Sequence, residues 1–369
     1  MIAPVSQNIP SDQVELLRVH QLSEEQITLW KKLQAGHPEF ESPYFHPGFT
    51  QAVAAVRDDV EVAVLKNRFG EAIGFFPFQR NRSNIGFPVG GRFSDFHGVL
   101  LESDESLDVK NLIQQCGLKA WNFDHLIASQ RCFQDYHFRR DESPYLDLSE
   151  GFEAYKQKRR AAGSTRIKQT LRKGRKLAKD VGELRIVPQT SNPEVLEQLL
   201  TWKSEQYRQS GLVDLFSYDW TRALLYEILT KSDDEFRGLL SVLYAGDQIV
   251  AIDFGLRSRN VLHSWFPAYN PDFRRYSPGH LLLIKLAEAS QQLGIDRIHL
   301  GKGEESYKSS FASDVLWVAE GTIDRNPFNR FVKQQWSRTR DLLKQSPLRT
   351  LVRRPVRFFR RLKDRVSFS

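Results

Sequence analysis

The stretch "RRYSPGHLLL" (Arg274–Leu283) joins two arginines and a tyrosine to Ser277-Pro278-Gly279 and then to an apolar run. Ser277 reads as an N-cap and Pro278 as the first helical residue, where its missing N–H is not needed. The free N–H groups of Gly279, His280 and Leu281 would then point out of the helix start and suit an anion. A solvated helix cap is the plainer reading of the same residues. Upstream, Asp253 stands between Ile252 and Phe254 in an apolar run, where an unpartnered carboxylate is costly. It therefore needs a partner or a task. His263 lies in the next run, "VLHSWFPAY" (Val261–Tyr269), and alternation puts it on one face with Val261, Trp265 and Pro267. A satisfied structural histidine is the competing reading.

Other chemical motifs fail on spacing. Six residues separate Gly294 from Gly301-Lys302 where a Walker A loop has four, and Gly303 follows instead of Ser or Thr. His137 and Asp141 have an acyltransferase-like spacing, but Glu142 stands where glycine is needed. There is no G-x-S-x-G elbow and no H-E-x-x-H. The nine histidines are scattered and only Cys116 and Cys132 are cysteines, so neither a metal site nor a disulfide framework is expected.

The surrounding elements follow from periodicity. Leu281–Ile284, Leu286, Ala287 and Ala289 cover more than one helical face, which predicts an interior helix stopping near Gly294. Asp296–Gly301 reads as a short buried strand. Residues 60–78 and 240–254 each read as strand, tight turn (Gly70-Glu71, Gly246-Asp247) and strand, an internal repeat. With 369 residues the chain can hold two or three domains.

The expected organisation is an N-terminal domain (1–149), a basic connecting helix (150–182), a C-terminal domain (183–326) and a basic amphipathic tail (327–369). Lys156–Lys179 carries 11 basic residues and no acid; residues 330–369 carry 13 Lys/Arg and 2 Asp. The total charge is +8, which leaves −3 for residues 1–329. The basic helix has only Tyr155 nearby among aromatics, which argues against single-strand stacking. The amphipathic tail suits an anionic membrane surface, with folding back onto the acidic body as the alternative. The N-terminus lacks a signal-peptide pattern, so a cytoplasmic protein, peripheral on the inner membrane, is expected.

The segment "AYNPDFRRYSPGHLLLIKLAEASQQLGIDRIHLGKGEESYKSSF" (Ala268–Phe311) resembles the acetyltransferases of the cellulose-biosynthesis CelD/BcsL type. These belong to the GNAT superfamily and are related to FemAB-like peptidyltransferases. Pro278-Gly279, Leu282-Leu283, "HLGKG" and Tyr307-Lys308 carry the resemblance, and "SPYFHPGFTQAV" and "SDFHGVL" extend it to roughly residues 40–315. One departure is His299, where the family has Asp.

The resemblance implies an α/β (α+β) fold of two tandem GNAT-like domains with mixed central sheets, joined by the basic helix. It makes Ala268, Tyr269, Arg274, Arg275, Tyr276, Ser277, Gly279, His280 and Leu281 a cradle for acetyl-CoA or another acyl-CoA, with no metal. Backbone N–H groups near Ala268 and Tyr269 would polarise the thioester carbonyl. Asp253 or His263 would be the base, Tyr307 the acid, and Lys308 would stabilise developing negative charge. The implied acceptor is a sugar, a polysaccharide or its precursor. Competing readings are FemAB-like transfer from aminoacyl-tRNA, the one reading that involves nucleic acid, and a catalytically degenerate scaffold.

Overall fold

The computed structural model describes residues 13–231, 233–303 and 306–345. They form two compact units. One holds residues up to Asp141 together with those from Trp317, and the other runs from Glu142 to Leu316.

In the first unit β1 (Gln13–Leu17) is followed by α1 (Glu24–Gly36) and α2 (Pro47–Val56). Antiparallel β2 (Val60–Lys66), β3 (Ala72–Arg80) and β4 (Ile85–Phe87) come next. β5 (Leu100–Leu101) pairs with β3, and α3 (Val109–Gln115) leads to β6 (Ala120–Ile127), which runs parallel to β4. The order is β1-β2-β3-β4-β6, and Val318–Asp324 of the last strand continue it antiparallel to β6.

β7 (His137–Asp147) carries the chain into the second unit. There α4 (Phe152–Ala161) and α5 (Arg166–Asp180) precede β8 (Leu184–Val187), α6 (Pro193–Gln209) and α7 (Asp219–Thr230). Antiparallel β9 (Phe236–Ala245), β10 (Gln248–Ser258) and β11 (Val261–Tyr269) follow. Then come α8 (Pro278–Glu288), α9 (Ser290–Leu293), β12 (Arg297–His299) and α10 (Ser306–Phe311). The order is β8-β9-β10-β11-β12, with β11 and β12 parallel and Tyr145–Asp147 of β7 on the far side of β12. β13 (Asp314–Asp324) and α11 (Pro327–Gln345) complete the described chain.

Each unit therefore runs strand, two helices, three antiparallel strands, helix and parallel strand. This is the tandem architecture that the paired hairpins announce. In the second hairpin Gly246, at φ 54°, makes the two-residue turn between Ala245 and Gln248.

The helix α8 is interior, as its apolar breadth requires. Leu281, Leu282, Ile284 and Leu286 pack with Leu239, Leu243, Ala251 and Leu262 of the sheet and with Ile167 and Leu177 of α5. Each such buried side chain contributes about 1.5–3 kcal/mol. A Cβ on Gly174 would meet Leu281 Cδ2 at 2.7 Å, so a glycine there is what lets α5 lie this close to α8.

Two expectations differ from the structure. The basic segment 150–182 is two helices, parted at Gly163 (φ 82°), where Ser164 Oγ donates to the Ser310 carbonyl at 2.9 Å. Both helices belong to the second unit and do not connect one unit to the other. Residues 317–326, read from sequence as the end of the second domain, belong to the first unit. Among the described residues no helix is long and apolar enough to cross a membrane.

Candidate active site

The strands β11 and β12 pair only from Val261–Arg297 to His263–His299. Beyond this, β11 continues to Tyr269 while the β12 chain turns off, its Leu300 N–H donating to the Pro144 carbonyl. The second half of β11 thus has a strand on one side only. Pro267 fits this opening. Asn270 N–H donates to the Val250 carbonyl, so antiparallel alternation turns the Ala268 N–H toward β10 and position 267 away from it. A proline there costs no ladder bond. Of the two expected carbonyl-polarising donors, the Tyr269 N–H is the one turned to the open side.

A bulge at Trp265 interrupts the alternation along β11. Gly255 pairs with Ser264 and Phe254 with Phe266, leaving Trp265 unmatched. Pro267 then lies opposite Asp253, and so does not share the His263 face as strict alternation predicts. Asp253 shares its face with Ser241, Ala251 and Gly255, the side that α8 covers. His263, paired with Leu256, lies on the other side, stacked on His299 at 6.3 Å, with Tyr145 5.6 Å beyond. All three belong to strands whose pairing fixes them together.

Asp253 is 4 % exposed, and its Oδ1 accepts no hydrogen bond from the described residues. Burial pushes its pKa up to about 6, against the opposing effects of a hydrogen bond from Ser264 and the charge of Lys203. This carboxyl can change protonation state close to neutrality.

The start of α8 departs from the expected cap. Ser277 is left-handed (φ 55°, ψ 55°) and makes no side-chain cap; its Oγ instead accepts from Lys173 Nζ of α5 at 2.8 Å. The first-turn N–H groups of Gly279 and His280 therefore have neither a helical carbonyl nor a capping side chain. Gly279 presents no side chain there, and an added Cβ would make an ordinary contact with Tyr269 Cδ1 at 3.8 Å. Arg274 and Arg275 are exposed in the preceding 3-10 turn, Pro271–Tyr276. Arg275 covers the Tyr276 ring at 4.7 Å. Tyr276 is buried and donates its hydroxyl to Asp180 Oδ2 at 2.7 Å, which makes it a support of the turn. Leu281 closes the helix turn, donating its N–H to the Ser277 carbonyl, and its side chain is in the core.

His280 packs on Tyr307 with ring centroids 4.8 Å apart. Burial, then the charges of Arg166 and Lys173, lower its pKa to about 4, so it is neutral at pH 7. Lys308 is buried with Nζ 3.3 Å from the carbonyls of both Gly301 and Lys302, where it pins the loop leaving β12. The structure thus gathers Tyr269, Arg274, Arg275, Gly279, His280 and Tyr307 at one helix start and sets His263 apart. Lys173 and Arg166 were not singled out in the sequence. Their signal is their position beside the apolar stripe Ile167, Leu171, Gly174 and Leu177.

Among the described residues the first unit shows no equivalent. There the helix between the parallel strands, α3, is capped by Asp108, whose Oδ1 accepts from the N–H groups of Lys110 and Asn111. A carboxylate already fills that helix start and repels a second anion.

Comparison with known proteins agrees with this geometry. Residues 165–309 match the family described as acetyltransferase (GNAT) domain. No curated protein matches the chain. Among solved structures the chain is similar to FemX, with a TM-score of 0.56 at 8 % identity over 86 % of this chain and 99 % of that one. It is also similar to the C-terminal domain of a protein from Agrobacterium fabrum assigned as a lysylphosphatidylglycerol synthetase, with a TM-score of 0.51 at 13 % identity over 84 % and 95 %. At such identities these likenesses speak to the fold alone. The open strand, the uncapped helix start and the family match over the same residues make the second unit an acetyltransferase domain of the GNAT type, and the chain that carries it an acyltransferase.

Proposed function

We propose that the chain transfers an acyl group, acetyl in the simplest case, from acyl-CoA to a hydroxyl or amine of a sugar or polysaccharide precursor. The observation that carries this is the uncapped start of α8 beside the open edge of β11. Gly279 and His280 offer N–H groups, Arg274, Arg275, Lys173 and Arg166 offer positive charge, and Gly279 sets no side chain in the way of a pyrophosphate. Bound there, acyl-CoA supplies an activated thioester. The Tyr269 N–H is the donor available to a carbonyl on the open edge. Asp253 is the base in this reading, because it is on the face of α8 and keeps a proton-accepting oxygen unbonded. In this reading Tyr307 returns a proton to the leaving thiolate, and Lys308 holds the loop before Tyr307. The sugar acceptor rests on the resemblance of Ala268–Phe311 to polysaccharide-modifying acetyltransferases.

The test pairs binding with turnover. Acetyl-CoA at a hundredfold its dissociation constant should stabilise the protein by about 2.7 kcal/mol. Thiol release should then follow on adding amino sugars or nucleotide-linked sugars. Stabilisation without turnover on any sugar would leave the acyl-CoA site and reject the acceptor. No stabilisation by any acyl-CoA would reject the reading and favour transfer from aminoacyl-tRNA or a scaffold without activity.

A further inference from the structure

We propose that α11 is a membrane-surface helix whose outward face enters the headgroup region of an anionic bilayer. On most globular proteins a helix turns its apolar stripe inward. Here the orientation is inverted. Phe328, Phe331, Val332 and Trp336 are 48–71 % exposed, and their spacing places them on one stripe. The polar side holds the helix to its unit. Lys333 Nζ lies 2.9 Å from Asp324 Oδ2 and 3.1 Å from Asn122 Oδ1. Arg330 donates to the Asp135 carbonyl and covers the Tyr136 ring at 4.7 Å, and Ser337 is buried.

The charge around the stripe selects the partner. A notch of about 460 Å³ opens beside Phe331, and Lys110, Arg325 and Arg330 line it, with Asp324, already paired to Lys333, as its one acid. From Arg330 to the end of the chain the sequence holds 13 Lys/Arg and 2 Asp. Aromatic and aliphatic side chains flanked by cations match an interface whose surface is negative and whose interior is apolar. A neutral bilayer or an acidic protein satisfies only half of this pattern. The inference is independent of the acyl-transfer reading, since the helix is in the first unit and the site in the second.

The experiment is flotation of the full chain with vesicles of phosphatidylcholine containing about one-third phosphatidylglycerol, and with pure phosphatidylcholine vesicles. The wild type should float with the first and stay down with the second. A Phe328→Ser/Phe331→Ser/Trp336→Ser variant, folded by circular dichroism and with unchanged acetyl-CoA binding, should lose flotation by about tenfold or more. Equal flotation of this variant would overturn the proposal, as would equal flotation on neutral vesicles. So would a wild type that does not float at low salt, or one that self-associates in solution through the same three residues instead of binding vesicles.

Discussion

Asp253 couples stability to pH through one proton. Its unfolded pKa is near the ordinary carboxylate value of about 3.9, and in the folded chain it is about 6. Between these values the folded state binds more protons, so the group's contribution to stability falls as pH rises through this window. Above pH 6 the full cost remains, about 2–3 kcal/mol for a shift of this size. Asp253→Asn removes the charge. It should stabilise the protein by a comparable amount at pH 8 and by nothing below about pH 4, as chemical denaturation at the two pH values will show. The same variant should lower turnover by about 10²-fold or more if Asp253 is the base. Wild-type turnover should fall as pH drops below about 6. His263→Ala, on the opposite face, should leave acetyl-CoA affinity unchanged and cost less turnover than Asp253→Asn; the reverse order of rates would move the base to His263. In the sequence both residues were legible as chemistry-bearing. Their separation was not, because it depends on the hairpin register that pairs His263 with Leu256, three residues from Asp253 along β10.

At the scale of elements, the site depends on α5 lying against α8. Lys173 draws the Ser277 hydroxyl away from the helix start, and Asp180 holds Tyr276 beneath the arginine turn. Gly174 sets the spacing between the helices. Gly174→Leu must push past Leu281 Cδ2, and we expect a loss of about 1–3 kcal/mol in urea unfolding. Acetyl-CoA affinity should fall with it; an undisturbed affinity would separate α5 from the site. The strand Val261–Tyr269, the hairpin turn at Gly246 and the interior position of α8 all follow from patterning in the sequence. The break between α4 and α5 is signalled by Gly163-Ser164-Thr165 but outweighed by the dense cations on both sides of it. Composition reports charge and not the path of the backbone. The Ser277 cap was misread for a similar reason. Ser-Pro is a common helix start, and only tertiary contact with Lys173 turns the hydroxyl away.

Across the whole molecule, one topology occurs twice and is used differently. The repeat was legible because hairpins with tight turns leave a local mark. The unit boundaries were not, because Asp141 and Glu142 are inside one unbroken strand, His137–Asp147. The two copies diverge at one helix start. Asp108 fills that of α3 with its own carboxylate, while that of α8 has no side-chain cap. One acyl-CoA site per chain is therefore expected, in the second unit. Calorimetric titration of the full chain with acetyl-CoA, beside its Gly279→Glu variant, tests this most directly. The wild type should bind one equivalent. The variant, with bulk and negative charge set where N–H donors and open space are needed, should bind at least about tenfold more weakly while melting at the same temperature without ligand. Two equivalents per chain, or equal affinity in the two proteins, would contradict it.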